Sequence, residues 1–96
     1  MSILVRVTQE DIDQGIRLDP ARCPIAWALR RKTGNRYLVW PMCHAWASCI
    51  TRRCEPTAGE KPACALPPTA ARFAHRFDDG KPVKPFAFRL KALPED

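Results

Sequence analysis

The chain has 96 residues, 46% hydrophobic and 27% charged, with ten prolines, five cysteines and a formal net charge of +6. That size and balance describe one globular domain near the lower end of comfortable core size, and proline at about twice the usual share stiffens its loops. Two classes are set aside at once. Met1 to Val7 runs straight into Gln9, Glu10 and Asp11, so no export signal is readable and a cytoplasmic location is expected. Tyr37 to Thr51 is uncharged for 15 residues but contains Pro41, His44 and Ser48. It falls short of the roughly 20 residues a span needs, reads as buried strand, and gives no membrane partner.

In chain order, Ile3, Val5 and Val7 alternate with Leu4 and Arg6, the period of a half-buried first strand. Thr8 reads as a helix N-cap with Asp11 at the third helical position, a weak variant of the capping box, and Gly15 ends that short helix. Asp19-Pro20 repeats the start signal, but Pro24 lacks the N–H that a continuing helix would donate to residue 20. The main helix is therefore expected to begin on Pro24 and run to about Lys32. Gly34-Asn35 closes it, with Arg30, Arg31 and Lys32 on the negative end of its dipole.

Arg36 to Trp40 and Met42 to Thr51 are rich in β-formers and read as two strands, or one strand broken at Pro41. A hairpin near Pro41 would return Arg52 and Arg53 to the end where Arg36 lies, although proline suits the favoured two-residue turns badly and leaves the register open. Cys54 to Pro68, with four prolines and Gly59, shows no periodicity and reads as a long loop. Ala70, Phe73, Ala74 and Phe77 then predict an amphipathic helix over 69–79, stopped by Gly80. Phe86, Phe88 and Leu90 alternate with Ala87, Arg89 and Lys91 as a last strand. The order strand, helix, strand, strand, helix, strand is α+β, in a single domain over residues 1–96, and permits a ferredoxin-like sandwich with a long proline-rich loop.

Two stretches carry a resemblance: Cys23-Pro24-Ile25-Ala26-Trp27-Ala28-Leu29-Arg30-Arg31, and Phe77-Asp78-Asp79-Gly80-Lys81-Pro82-Val83-Lys84-Pro85-Phe86-Ala87-Phe88. They are similar to small proteins of bacterial viruses, prophages and their hosts, which share a Cys-Pro-apolar-Ala helix start and a Phe-Asp-x-Gly turn into a last strand. The resemblance covers about half the chain and implies a phage or mobile-element origin, with no activity attached. Both motifs also have a plain structural reading, a small thiol at a helix entrance and a helix stop before a reversal.

Charge supplies the strongest functional signal. Arg30, Arg31, Lys32, Arg36, Arg52 and Arg53 fall between residues 30 and 54 with no acid among them, while residues 1–29 come to −1 and residues 55–96 to +1. A basic pole of this kind is a landing site for something negative. Trp27, on the side of the main helix away from Ile25 and Leu29, is the candidate aromatic anchor beside it. The expected partner is a host protein complex with an acidic surface, for example a CRISPR-type defence effector that a phage protein would antagonise. The alternative is nucleic acid held by Arg36, Arg52 and Arg53 with Tyr37, Trp40 and Trp46 for stacking. A structural part of a virion also stays open. Comparison with RNA-recognition motifs fails at the residues, because Ile3 to Val7 and Met42 to Ile50 lack the paired stacking aromatics.

Chemistry is not expected. Cys43, His44, Cys49, Cys54 and Cys64 could offer metal ligands, but the cysteine intervals of 6, 5 and 10 include no knuckle spacing, and Cys43 and His44 point to opposite faces of a strand. The same geometry parts the thiol from its base. Cys54 and Cys64 could form a disulfide under oxidising conditions, with free thiols expected in the cytoplasm. Asp78 and Asp79 oppose the dipole at a helix end and read as turn residues. No cofactor-binding motif is present, so no metal, cofactor or catalytic residue is assigned.

Overall fold

The two segments with the clearest alternation find each other. β1 (Ile3–Val7) and β5 (Phe86–Leu90) run antiparallel, Val5 opposite Phe88 and Val7 opposite Phe86, in a computed structural model that describes residues 3–40, 49–51 and 64–90. Val5, Val7, Phe88 and Leu90 are buried while Arg6, Ala87 and Arg89 are exposed. Register is pinned here because a slip of one residue would turn every one of those apolar side chains to water.

A second sheet holds β2 (Leu38–Trp40), β3 (Cys49–Thr51) and β4 (Cys64–Ala65), antiparallel neighbours in that order. Leu38 faces Thr51 and Trp40 faces Cys49, so the chain does return antiparallel after Trp40. Residues 41–48, including Pro41 on which the hairpin was expected to turn, lie outside the described residues. The Trp40 indole N–H donates to Thr51 Oγ1 at 2.9 Å and ties the two strands together. β4 corrects the reading of Cys54 to Pro68 as uninterrupted loop: Cys49 pairs with Ala65 and Ile50 with Cys64. Two residues cannot show a period, yet they satisfy backbone groups that an open edge of β3 would leave unpaired.

A ferredoxin-like sandwich sets its first and third strands side by side in one sheet. Here β3 carries β2 on one edge and β4 on the other, while β1 pairs with β5. The described residues thus form a small compact α+β domain with helices and two small antiparallel sheets.

The helix boundaries follow local chemistry. α1 (Gln9–Gln14) has a complete capping box: Asp11 N–H donates to Thr8 Oγ1 at 3.3 Å and Thr8 N–H to Asp11 Oδ2 at 2.9 Å. The shorter aspartate closes the box as glutamate usually does. α2 (Pro24–Thr33) starts on its proline as expected, with Cys23 Sγ accepting from Ala26 N–H at 3.4 Å. It stops at Gly34, whose N–H still bonds Arg30 O at 2.8 Å and whose φ of 79° turns the chain out of the helix. α3 (Pro68–Asp78) starts one residue before the expected Thr69 and ends in a Schellman motif. Gly80 at φ 76° bonds Phe77 O, and Lys81 N–H bonds Arg76 O at 2.9 Å.

The core lies between these layers. Ile25, Ala28 and Leu29 from α2, Ala70, Phe73 and Ala74 from α3, Val39 and Ile50 from the second sheet, and the inward side chains of β1 and β5 form one buried cluster. The connection from α1 to α2 is clamped onto the far end of α3. Leu18 N–H donates to Asp78 Oδ1 at 3.0 Å, and the Arg17 guanidinium to Asp78 O at 2.9 and 3.1 Å. Asp78 does serve a turn, though one 60 residues earlier in the chain. The clamp holds Leu18 at φ 62°, an uncommon conformation for a branched residue.

Candidate binding surface at the end of the main helix

α2 brings four of the expected partner-binding residues to one end and gives them different tasks. Arg30, Arg31 and Lys32 occupy its last turn and are exposed, and Arg36 is exposed just beyond the Gly34 stop. Lys32 and Arg36 form no ion pair or hydrogen bond among the described residues.

Arg31 is different. It reaches back over α1, pairs with Asp11 Oδ1, and donates through its other terminal nitrogen to Arg6 O at 2.7 Å. Asp11 has a side chain only 6% exposed, so its carboxylate needs this partner as well as its own cap hydrogen bonds. Arg31 therefore also joins α2 to α1 and to the edge of β1, a structural task that its sequence neighbourhood does not show. The reason is tertiary: in the sequence the nearest acid lies far away, and only the packing of α1 on α2 brings Asp11 alongside.

Trp27 is the expected aromatic anchor. It does lie away from Ile25 and Leu29, but α1 covers that side of the helix, leaving the indole half-buried. A cleft of about 350 Å³ between α1 and α2 is edged by Glu10, Gln14, Trp27 and Arg30. The Arg30 guanidinium sits over the indole, 5.7 Å from the ring centroid, a cation–π arrangement that holds Arg30 at the rim. The indole N–H is buried with no acceptor among the described residues. An unmade hydrogen bond of this kind costs about 1–3 kcal/mol. Arg52 and Arg53, the remaining members of the expected surface, lie outside the described residues.

Two of the three aromatic residues expected to stack beside this pole have places in the fold. Tyr37 is buried at 5% exposure. Trp40 spends its N–H on Thr51, and Trp46 lies outside the described residues.

Among the described residues no cluster of three or more His, Cys, Asp or Glu side chains could hold a metal ion; Cys43, His44 and Cys54 lie outside them. Nor is any described helix long and apolar enough to cross a membrane. Cys23 is a free, buried thiol beside an apolar cavity of about 170 Å³ whose walls include Ile25, Val39, Trp40 and Phe77. Burial pushes it from 9.0 up to about 12; Asp78 and Asp19 push the same way, against hydrogen bonds from the backbone of Ala26 and Ile25. A thiol so protonated is a small apolar wedge at a helix start and no nucleophile.

The structure also gathers a second basic cluster that the charge count missed. Arg72, Arg76 and Lys84 line one groove, between α3 and the segment Pro82–Pro85. Acids elsewhere between residues 55 and 96 cancel these cations in the net charge, and the available signal was finer: Arg72 and Arg76 one turn apart, then a lysine between prolines.

No protein-family model matches the chain, and neither does any curated protein or solved structure.

Proposed function

We propose that this protein is a small non-catalytic binding protein of phage or mobile-element origin, which antagonises a host complex by occupying an acidic protein surface. A defence effector of the CRISPR type is the kind of machine it would block. The observation that carries the reading is the exposed end of α2, where Arg30, Lys32 and Arg36 stand without an acid between them. Positive charge at one end of a rigid helix steers and orients an acidic partner. Trp27 supports the same reading, since it edges the α1–α2 cleft next to Arg30 and adds an aromatic contact there. Exposed arginine beside tryptophan is also a common composition for the centre of an interface.

Nucleic acid at this pole is the second reading, and it is less well supported. Stacking needs presented rings, and Tyr37 is buried while Trp40 is bonded across its sheet.

Affinity capture of tagged protein from bacterial host lysate after nuclease treatment tests the proposal. A stoichiometric protein should be retained by the wild type and lost by Arg30→Glu, Lys32→Glu, Arg36→Glu together. Retention by that variant, or loss of every partner on nuclease treatment, overturns it. Arg31 is left unchanged in this test because its replacement would disturb the fold.

A further inference from the structure

We propose that the groove between α3 and the segment Pro82–Pro85 is a separate site that binds single-stranded nucleic acid through one or two phosphates and apolar contact with a base. Thr69, Arg72 and Arg76 recur at i, i+3 and i+7 on α3, so they share one face and form one wall. Lys84 stands on the other wall. The floor is apolar: the Phe86 ring centroid lies 4.6 Å from that of Phe73 and 5.5 Å from that of Phe88, and Phe86 is half-buried, so it keeps apolar surface for contact with a base. The groove holds about 330 Å³, of the order of one nucleotide.

Charge complementarity selects an anion. Among the described residues three cations line the groove and no carboxylate does. Arg72 and Lys84 are exposed and have no hydrogen bond or ion pair among the described residues, so both can turn to an anion in the groove. Arg76 is braced: one of its nitrogens donates to Pro82 O at 3.1 Å and fixes the distance between the walls. The groove is thus shaped before anything binds, which lowers the entropic cost of binding.

The backbone decides between a nucleic acid and an acidic peptide. Extended peptides are usually held by main-chain hydrogen bonds to an open edge. Pro82 and Pro85 remove two of the four donors on one wall, and the other wall is a helix whose amides are spent internally. What remains is charge and apolar contact, which is how single strands are gripped without regard to sequence. Arg72 and Arg76 lie about 6 Å apart along the helix axis, a stride comparable to that of successive phosphates on an extended strand.

The test is fluorescence anisotropy with a labelled oligo(dT) decamer, run across salt concentrations on the full chain. Wild type should bind with a Kd tighter than about 100 µM near physiological salt, with affinity falling as salt rises. Arg72→Glu with Lys84→Glu should weaken binding at least tenfold (about 1.4 kcal/mol) and flatten the log–log salt slope by roughly 1.4. Arg30→Glu with Lys32→Glu, an equal change of net charge, should stay within about threefold of wild type (a change of about 0.7 kcal/mol at most). Equal weakening by both pairs would mean net charge alone and overturn the site. So would absence of binding, or displacement of the oligonucleotide by a poly-glutamate peptide at matched charge. Neither pair removes a described hydrogen bond from a buried group, and unchanged melting temperatures would confirm that the fold is intact.

Discussion

The end of α2 and the outer face of α3 both collect cations, but they do so by different means and on different backgrounds. At α2 the charges are consecutive in sequence and crowd one helix end, where the dipole favours them. One of the four is spent on Asp11, and another lies on an indole. At α3 the charges come from a helix face and a proline-rich return strap, and they surround an apolar floor. The first is a projecting pole beside an acidic helix, suited to a broad protein surface. The second is a concave channel with no acid in its lining among the described residues, the shape proposed above for a thin anionic chain. Clusters of like charge thus yield two different surfaces, because what lies between the charges differs.

The comparison breaks most visibly at Arg31, the cation that holds the fold. Arg31→Glu would place a second carboxylate against the buried Asp11 and lose the contact with Arg6 O. Because Arg31 is half exposed, the expected loss is about 2 kcal/mol, less than for a fully buried pair, and melting should drop by roughly 10 °C. Arg72→Glu on α3 should change melting by no more than about 0.5 kcal/mol. Thermal denaturation of the two variants side by side reads the difference, and similar destabilisation by both would mean that the cations of the two regions are not distinct in role.

Next in size is an alkaline effect at the start of α2 that α3 does not share. The Cys23 thiol stays protonated in the folded chain up to about pH 12, whereas in the unfolded chain it ionises above 9.0. The unfolded state therefore holds fewer protons in that window. Stability from this group is complete below pH 9 and falls as pH rises toward 12, by up to about 1.4 kcal/mol per pH unit. Denaturant titrations at pH 8 and pH 10 should show Cys23→Ala with a visibly flatter pH dependence than wild type; parallel behaviour would contradict the buried, raised thiol.

The helix stops give the smallest contrast. Gly34→Ala meets only the cost of a left-handed backbone, about 1 kcal/mol, since no atom lies within 4 Å of the new methyl. Gly80→Ala adds pressure on the Arg17 guanidinium at 3.2 Å, and so loosens the clamp on Asp78. It should therefore cost more than Gly34→Ala in chemical denaturation. The reverse order would mean that the clamp carries no weight.

Local chemistry was legible in the sequence, and long-range pairing was not. Thr8 with Asp11, Pro24 at a helix start, and Gly34 and Gly80 at helix stops act within a few residues, so their signals survive in one dimension. The alternation of β1 and β5 was legible for the same reason, although their partnership across the whole chain was not. Arg31 and Asp11 are 20 residues apart and Arg17 and Asp78 are 61 apart, so neither pair leaves a trace in any window. Helical geometry placed Trp27 opposite the core residues correctly but could not foresee that α1 would lie over it. The basic pole was visible because its charges are contiguous; the α3 groove was hidden because its charges are interleaved with acids in sequence and parted from them only in space.

The most direct test of two separate surfaces is a crossed binding measurement. The pole variant (Arg30→Glu, Lys32→Glu) and the groove variant (Arg72→Glu, Lys84→Glu) would each be titrated with the protein captured by the wild type and with the oligo(dT) decamer. The account predicts a crossed loss: the pole variant fails on the protein and keeps the oligonucleotide, and the groove variant does the opposite. Parallel loss of both ligands by both variants would contradict it and leave one diffuse basic surface in place of two sites.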